Sequence, residues 1–138
     1  MVPTLPPGLD RAAVERIARE CPGVRLVVLF GSVARGTARA DSDADIGVLG
    51  GQFWDALKIG SEVGARLGRE PQVVDLEAAN DLLRFEAARD GAPLFEAAPD
   101  AWRIFQAQAA IRYFEIQPLI ALCAGGARRR LMNEASRG

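Results

Sequence analysis

The chain has 138 residues, 49% of them hydrophobic and 25% charged, with a formal net charge of −1. That length gives one domain with a single core, and the balanced charge supplies no global basic field, so direct nucleic-acid binding is not expected. Histidine is absent, which excludes histidine general-base chemistry, Ser-His-Asp triads and His-ligated zinc; any general base must be a carboxylate.

No run of eighteen apolar residues and no signal-peptide pattern occurs, so a cytoplasmic location is expected. Cys21 and Cys123 are isolated and read as two reduced, buried thiols.

Residues 1–8 hold three prolines and a glycine and read as an extended tail. Asp10 is placed to cap a helix running to about Glu20, with Val14, Ile17 and Cys21 on one face. Pro22-Gly23 ends it. Val24 to Phe30 is nearly continuous apolar sequence rich in β-branched residues, which predicts a strand buried on both faces. Gly31 permits a tight turn and close approach of a ligand to the backbone. Ser32 adds a hydroxyl, and Val33-Ala34-Arg35 opens a short helix that stops at Gly36. Free N–H groups at such a start favour a phosphate.

Asp43 and Asp45 stand at the mouth of the next strand, Ala44 to Leu49. Strand side chains alternate, so both carboxylates face one spot. Two adjacent carboxylates repel unless a cation neutralises them, and hard oxygen ligands suit Mg²⁺, with Mn²⁺ as a substitute. A phosphate cradle on one strand beside a metal clamp on its neighbour is the equipment for phosphoryl or nucleotidyl transfer. Gly31 to Thr37, GSVARGT, has the two glycines of a P-loop but lacks its lysine; the single lysine, Lys58, lies far off in sequence, so the P-loop reading is rejected.

Gly50-Gly51 form a turn. Phe53 to about Leu67 reads as a helix with Phe53, Trp54, Leu57, Val63 and Leu67 as candidate core residues. Gly60, Gly64 and Gly68 recur every four residues; each interior glycine costs about 1 kcal/mol against alanine. Either the sheet or another subunit approaches closely there, or the sequence simply tolerates them. Pro71 opens a short strand, Gln72 to Leu76, carrying Asp75. Asn80 is placed to cap a helix from Asp81 to Arg89 with Leu82, Leu83 and Phe85. Ala92 to Glu96 is a short strand, at the sheet edge because Pro93 cannot donate a ladder bond.

A last long helix is predicted from about 99 to 124, with a kink expected at Pro118. Trp102, Phe105, Ala109, Tyr113, Ile116, Ile120 and Cys123 share a face; Ile104, Ile111, Phe114, Leu119 and Leu122 lie off it. Such a helix wants two partners, its own sheet and a second protein, unless one broad core face accounts for it. Residues 125–138, with Arg128-Arg129-Arg130, read as a flexible basic tail complementing the helix C-terminus. The alternating order makes an α/β (α+β) fold, helices packed on a small mixed sheet.

Gly31-Ser32, ten residues, then Asp43-x-Asp45 resembles the signature of the polymerase-β-like nucleotidyltransferase superfamily. The longer string GSVARGTARADSDADIGV is similar to the minimal nucleotidyltransferase (MNT) family, specifically over residues 26–49 and more loosely to about residue 120. The resemblance implies the nucleotidyltransferase palm over the whole of residues 1–138. It implies nucleotide phosphates held by Gly31 and Ser32, and Mg²⁺, two ions per site, held by Asp43 and Asp45. A third acid on a later strand completes that metal site. Asp75 matches the family pattern there and could help take the acceptor proton; Glu77 is the alternative. Arg35 and Arg39 are candidates to neutralise phosphate charge, unless they pair with Asp41 or Asp43 to order the loop.

The family transfers AMP from ATP to a hydroxyl. In its antitoxin branch the acceptor is a tyrosine of a HEPN-domain toxin, so a hetero-oligomer is expected. Two other functions compete: an antitoxin that acts by binding alone, and a small-molecule transferase of the aminoglycoside-modifying kind. The acidic set argues against the first of these. The compact chain, with little left after the palm, argues against the second.

Overall fold

Strand β1 (Val24–Phe30) is the spine of the fold. Leu26, Val27, Val28 and Leu29 are all fully buried, as a β-branched run covered on both faces requires. Its neighbours are β2 (Ala44–Gly50) and β4 (Ala92–Glu96), both antiparallel to it, while β3 (Pro71–Asp75) lies parallel to β2; the order is β3-β2-β1-β4. Pro93 therefore does sit on an edge strand. The computed structural model describes residues 5–115. The expectations for Ile116, Pro118, Leu119, Ile120, Leu122, Cys123, residues 125–138 with Arg128-Arg129-Arg130, and residues 1–4 of the N-terminal tail lie outside them.

The helices close both faces of the sheet. Helices α1 (Arg11–Arg19) and α3 (Phe53–Leu67) cover one, where Val14, Ala18, Ile59 and Val63 meet Val27, Leu29, Ile46 and Val48. Helices α4 (Asp81–Asp90) and α5 (residues 101–115) cover the other, where Ala87, Ala88, Phe105 and Ala109 meet Leu26, Val28, Phe30 and Leu76. The five-residue α2 (Gly31–Arg35) follows β1 directly. The predicted caps are present: Asp10 accepts the N–H of Ala12 at 3.0 Å, and Asn80 that of Leu83 at 2.8 Å.

One helix face differs from expectation. Phe53, Trp54 and Leu57, read as core, are exposed at 76%, 66% and 44%. The buried stripe of α3 is Ile59, Gly60, Val63 and Gly64. A side chain at Gly60 would come within 2.2 Å of Val73 on β3, and one at Gly64 within 2.7 Å of the Arg69 carbonyl. The glycines thus mark close approach of the chain's own sheet edge and the loop leading into it, whereas Gly68 is the left-handed C-cap with open space around it. On α4, Leu82 is exposed and the small residues Ala87 and Ala88 are buried. On α5 the expected split holds: Phe105 and Ala109 are buried, Ile104, Ile111 and Phe114 exposed. Among the described residues, no helix is long and apolar enough to cross a membrane.

Candidate active site

The sheet register brings the motif residues together. Phe30 at the end of β1 pairs with Asp45 near the start of β2, so Gly31 and Ser32, the next residues, fall beside that carboxylate. Gly31 has φ +75°, a left-handed backbone, and a Cβ there would lie 2.1 Å from Asp45 Oδ2. Only glycine lets the turn and the carboxylate occupy this space. Phe30, the residue ahead of α2, makes no side-chain cap, which leaves the first N–H groups of that short helix to another acceptor.

A cavity of about 340 Å³ opens at this point, lined by Gly31, Ser32, Arg35, Asp45 and residues of β3 and α4. Burial holds the Asp45 carboxyl above its ordinary value, the charge of Asp43 pushes it further up, and Arg35 pulls partly back. Asp43 is exposed in the loop just before β2 and is not among the cavity's lining residues. A half-buried carboxylate with a like charge near it is a donor set that a divalent cation relieves; Asp43 and Asp45 are the residues that would hold such an ion. Among the described residues, no group of three Asp, Glu or Cys side chains is gathered to hold a metal.

Asp75 is not part of this site. The β2–β3 register pairs Asp45 with Gln72 and Val48 with Asp75. Asp75 is therefore three residues, about 10 Å, along the strand and on the opposite face. There it borders a different cavity, with Val48, Phe53, Leu57 and Glu77. Its carboxylate accepts the Glu77 N–H at 2.9 Å and starts the turn after β3. Glu77, the alternative, forms an ion pair with Arg25. Because β3 runs parallel to β2, its beginning, not its end, lies beside Asp45, and the residue there is the uncharged Gln72.

The two arginines also part company. Arg35 lines the cavity and pairs with Asp90 of α4 at 3.4 Å, not with Asp41 or Asp43. Arg39 does not line it; its N–H donates to Ser42 Oγ at 2.8 Å, and its carbonyl accepts from Arg69. Arg69 bridges the carbonyls of Arg39 and Ser42, each at 2.8 Å, and so braces the loop that delivers Asp43. Sequence reading missed Arg69, Gln72, Glu86 and Asp90. Leu83, Glu86 and Asp90, spaced three and four apart on α4, turn one face into the cavity.

The polymerase β nucleotidyltransferase family (Polymerase beta, Nucleotidyltransferase) matches residues 13–100. Protein adenylyltransferase MntA of Shewanella oneidensis is 27% identical over 89 residues, 62% of this chain and 64% of that protein; the match spans somewhat less than two thirds of the relative's length. Among solved structures, a chain of a toxin–antitoxin crystal structure with AMP-PNP superimposes with a TM-score of 0.71 at 22% identity, over 87% of this chain and 99% of the other. A chain of the tri-AMPylated Shewanella oneidensis HEPN toxin in complex with MNT antitoxin gives 0.63 at 19%, over 86% and 99%. At these identities the structural likeness concerns the fold.

Proposed function

We propose, for a chain that belongs to the polymerase β nucleotidyltransferase family, that it transfers AMP from Mg²⁺-ATP to a hydroxyl, a tyrosine, of a HEPN-type partner protein and acts as its antitoxin. The observation that carries the reading is Asp45 packed against Gly31 at the cavity, its charge opposed by burial and by Asp43. A site that strains to hold this carboxylate ionised is one prepared for a cation. The relatives supply the rest: a protein adenylyltransferase by sequence, and by fold a toxin–antitoxin crystallised with AMP-PNP and an AMPylated HEPN toxin bound to an MNT antitoxin. The reading carries with it a cytoplasmic location, where ATP and partner meet.

In this reading Gly31 and Ser32 receive the β- and γ-phosphates. Asp43 and Asp45 hold Mg²⁺, which supplies charge neutralisation to the phosphates when bound. Arg35 reaches the same cavity and adds positive charge. Arg69 fixes the loop before Asp43, so the two carboxylates keep their spacing without the nucleotide. The acceptor oxygen attacks the α-phosphorus in line, and pyrophosphate leaves.

One observation favours a second reading. The residue beside Asp45 on β3 is Gln72, so the strand offers no third carboxylate, and a protein of this kind could neutralise its partner by binding alone. Label transfer separates the two. Purified protein is incubated with α-phosphate-labelled ATP, Mg²⁺ and host lysate, beside an Asp43→Asn/Asp45→Asn control. A labelled protein band that requires the intact aspartates is the expected result. No labelled band despite Mg²⁺-ATP binding would leave the binding-only reading.

A further inference from the structure

We propose that Glu86, on α4, takes the proton from the attacking hydroxyl, the task for which a third strand carboxylate was expected. This rests on the transferase reading above. A hydroxyl that attacks phosphorus must lose its proton, and with no histidine in the chain a carboxylate is the natural acceptor. The strand cannot supply one: Gln72 stands beside Asp45, and Asp75 faces the other side of the sheet.

Three carboxylates line the cavity: Asp45, Glu86 and Asp90. Asp45 is committed to the cation with Asp43. Asp90 is committed to arginines, bonded to Arg89 Nε and Nη2 at 3.1 and 2.9 Å and to Arg35 at 3.4 Å. Those contacts hold it ionised and occupy its oxygens. Glu86 is exposed to the cavity, and no ion pair among the described residues engages it. The groups around it are Asp45 from β2, Arg35 from α2, Arg89 and Asp90 on its own helix, and neutral Gln72 from β3. The two arginines lie across from Asp90 and Asp45, and the Glu86 carboxylate is left without a partner among the described residues.

The step balances. The acceptor oxygen forms a bond to the α-phosphorus. The bond from that phosphorus to the bridging oxygen breaks, and pyrophosphate leaves with the electron pair. The hydroxyl proton passes to the Glu86 carboxylate and then to solvent. Glu86 is not gathered with Asp43 and Asp45 into a three-carboxylate group, so it serves the acceptor side and not the cation.

The test compares wild type, Glu86→Gln, Glu86→Asp and Asp43→Asn/Asp45→Asn in two measurements. Calorimetry reads binding of Mn²⁺ with α,β-methylene-ATP; label transfer from α-phosphate-labelled ATP into lysate protein reads kcat and the KM for ATP. Glu86→Gln is expected to bind the Mn²⁺ nucleotide within twofold of wild type and to lose about a hundredfold or more in kcat at unchanged KM, with partial recovery in Glu86→Asp. Transfer by Glu86→Gln within threefold of wild type overturns the proposal. So does loss of Mn²⁺-nucleotide binding in Glu86→Gln, which would make Glu86 a ligand. A wild type that binds the nucleotide and labels nothing refutes the transferase reading itself, and the proton acceptor falls with it.

Discussion

Gly31→Ala tests the contact on which the site is built. Two costs arise. Alanine at φ +75° occupies a left-handed backbone, at about 1–2 kcal/mol. Its Cβ also meets Asp45 Oδ2 at 2.1 Å and Cγ at 3.1 Å, well inside contact distance, and overpacking of that kind costs about 1–3 kcal/mol. The expected loss is therefore about 2–5 kcal/mol, which a domain of ordinary stability survives in weakened form. Gly36→Ala is the control. Gly36 has nearly the same φ, +77°, but an added Cβ meets nothing within 4 Å. It carries the backbone cost alone, about 1–2 kcal/mol.

Urea unfolding of both variants at neutral pH without metal gives the two losses, and their difference isolates the Gly31–Asp45 contact. Mn²⁺-nucleotide titration gives a second readout: Gly31→Ala must displace the carboxylate and weaken binding, while Gly36→Ala leaves Asp45 untouched. Equal destabilisation in the two variants, with Mn²⁺-nucleotide binding intact in both, would refute the claim that the turn and the carboxylate are packed on one another.

Three further outcomes follow from the same geometry. The Asp45 carboxyl sits above its ordinary value because of burial and then Asp43; such a group contributes stability below about pH 3.9 that is lost as pH rises through its folded-state value. Metal-free Asp45→Asn is therefore expected to unfold at higher urea than wild type at pH 7 and at the same urea near pH 3, and a lower midpoint at pH 7 would contradict the strain assigned to this residue. Asp75→Asn is expected to bind Mn²⁺-nucleotide like wild type, because Asp75 pairs with Val48 on the far face; a clear loss of affinity would return Asp75 to the site. Phe105→Ala removes a ring 1% exposed from the core between α5 and the sheet, at an expected 3–5 kcal/mol or about that, read by urea unfolding; a loss under about 1 kcal/mol would mean that α5 does not pack as described.

What the sequence made legible was what consecutive residues encode. Asp10 and Asn80 announce their helices through caps two or three residues away, and Gly31-Ser32 with Asp43-x-Asp45 announces a site because a β1–β2 antiparallel pairing joins the two ends of one loop. The third position failed because it depends on a register between strands joined by a whole helix. Pro71 pairs with Ala44, and nothing local in Gln72-Val73-Val74-Asp75 states this. An error of three positions moved the expected acid about 10 Å along the strand and, three being odd, through the sheet to its other face.

The misread helix face has a related cause. Hydrophobicity placed Phe53, Trp54 and Leu57 inside. The stripes that meet the sheet are Ile59, Gly60, Val63 and Gly64 on α3, and Ala87 and Ala88 on α4. Where a helix approaches a strand so closely that a Cβ at Gly60 would meet Val73 at 2.2 Å, large side chains have no room on the buried face and are left to the flanks. The residue size at the helix–sheet contact, more than its hydropathy, then marks the inward stripe. The same close packing settles the active-site side of α4: with Ala87 and Ala88 turned to the sheet, the helix presents Leu83, Glu86 and Asp90 to the cavity. Glu86 thus faces the cavity because two alanines, and not two leucines, face the core.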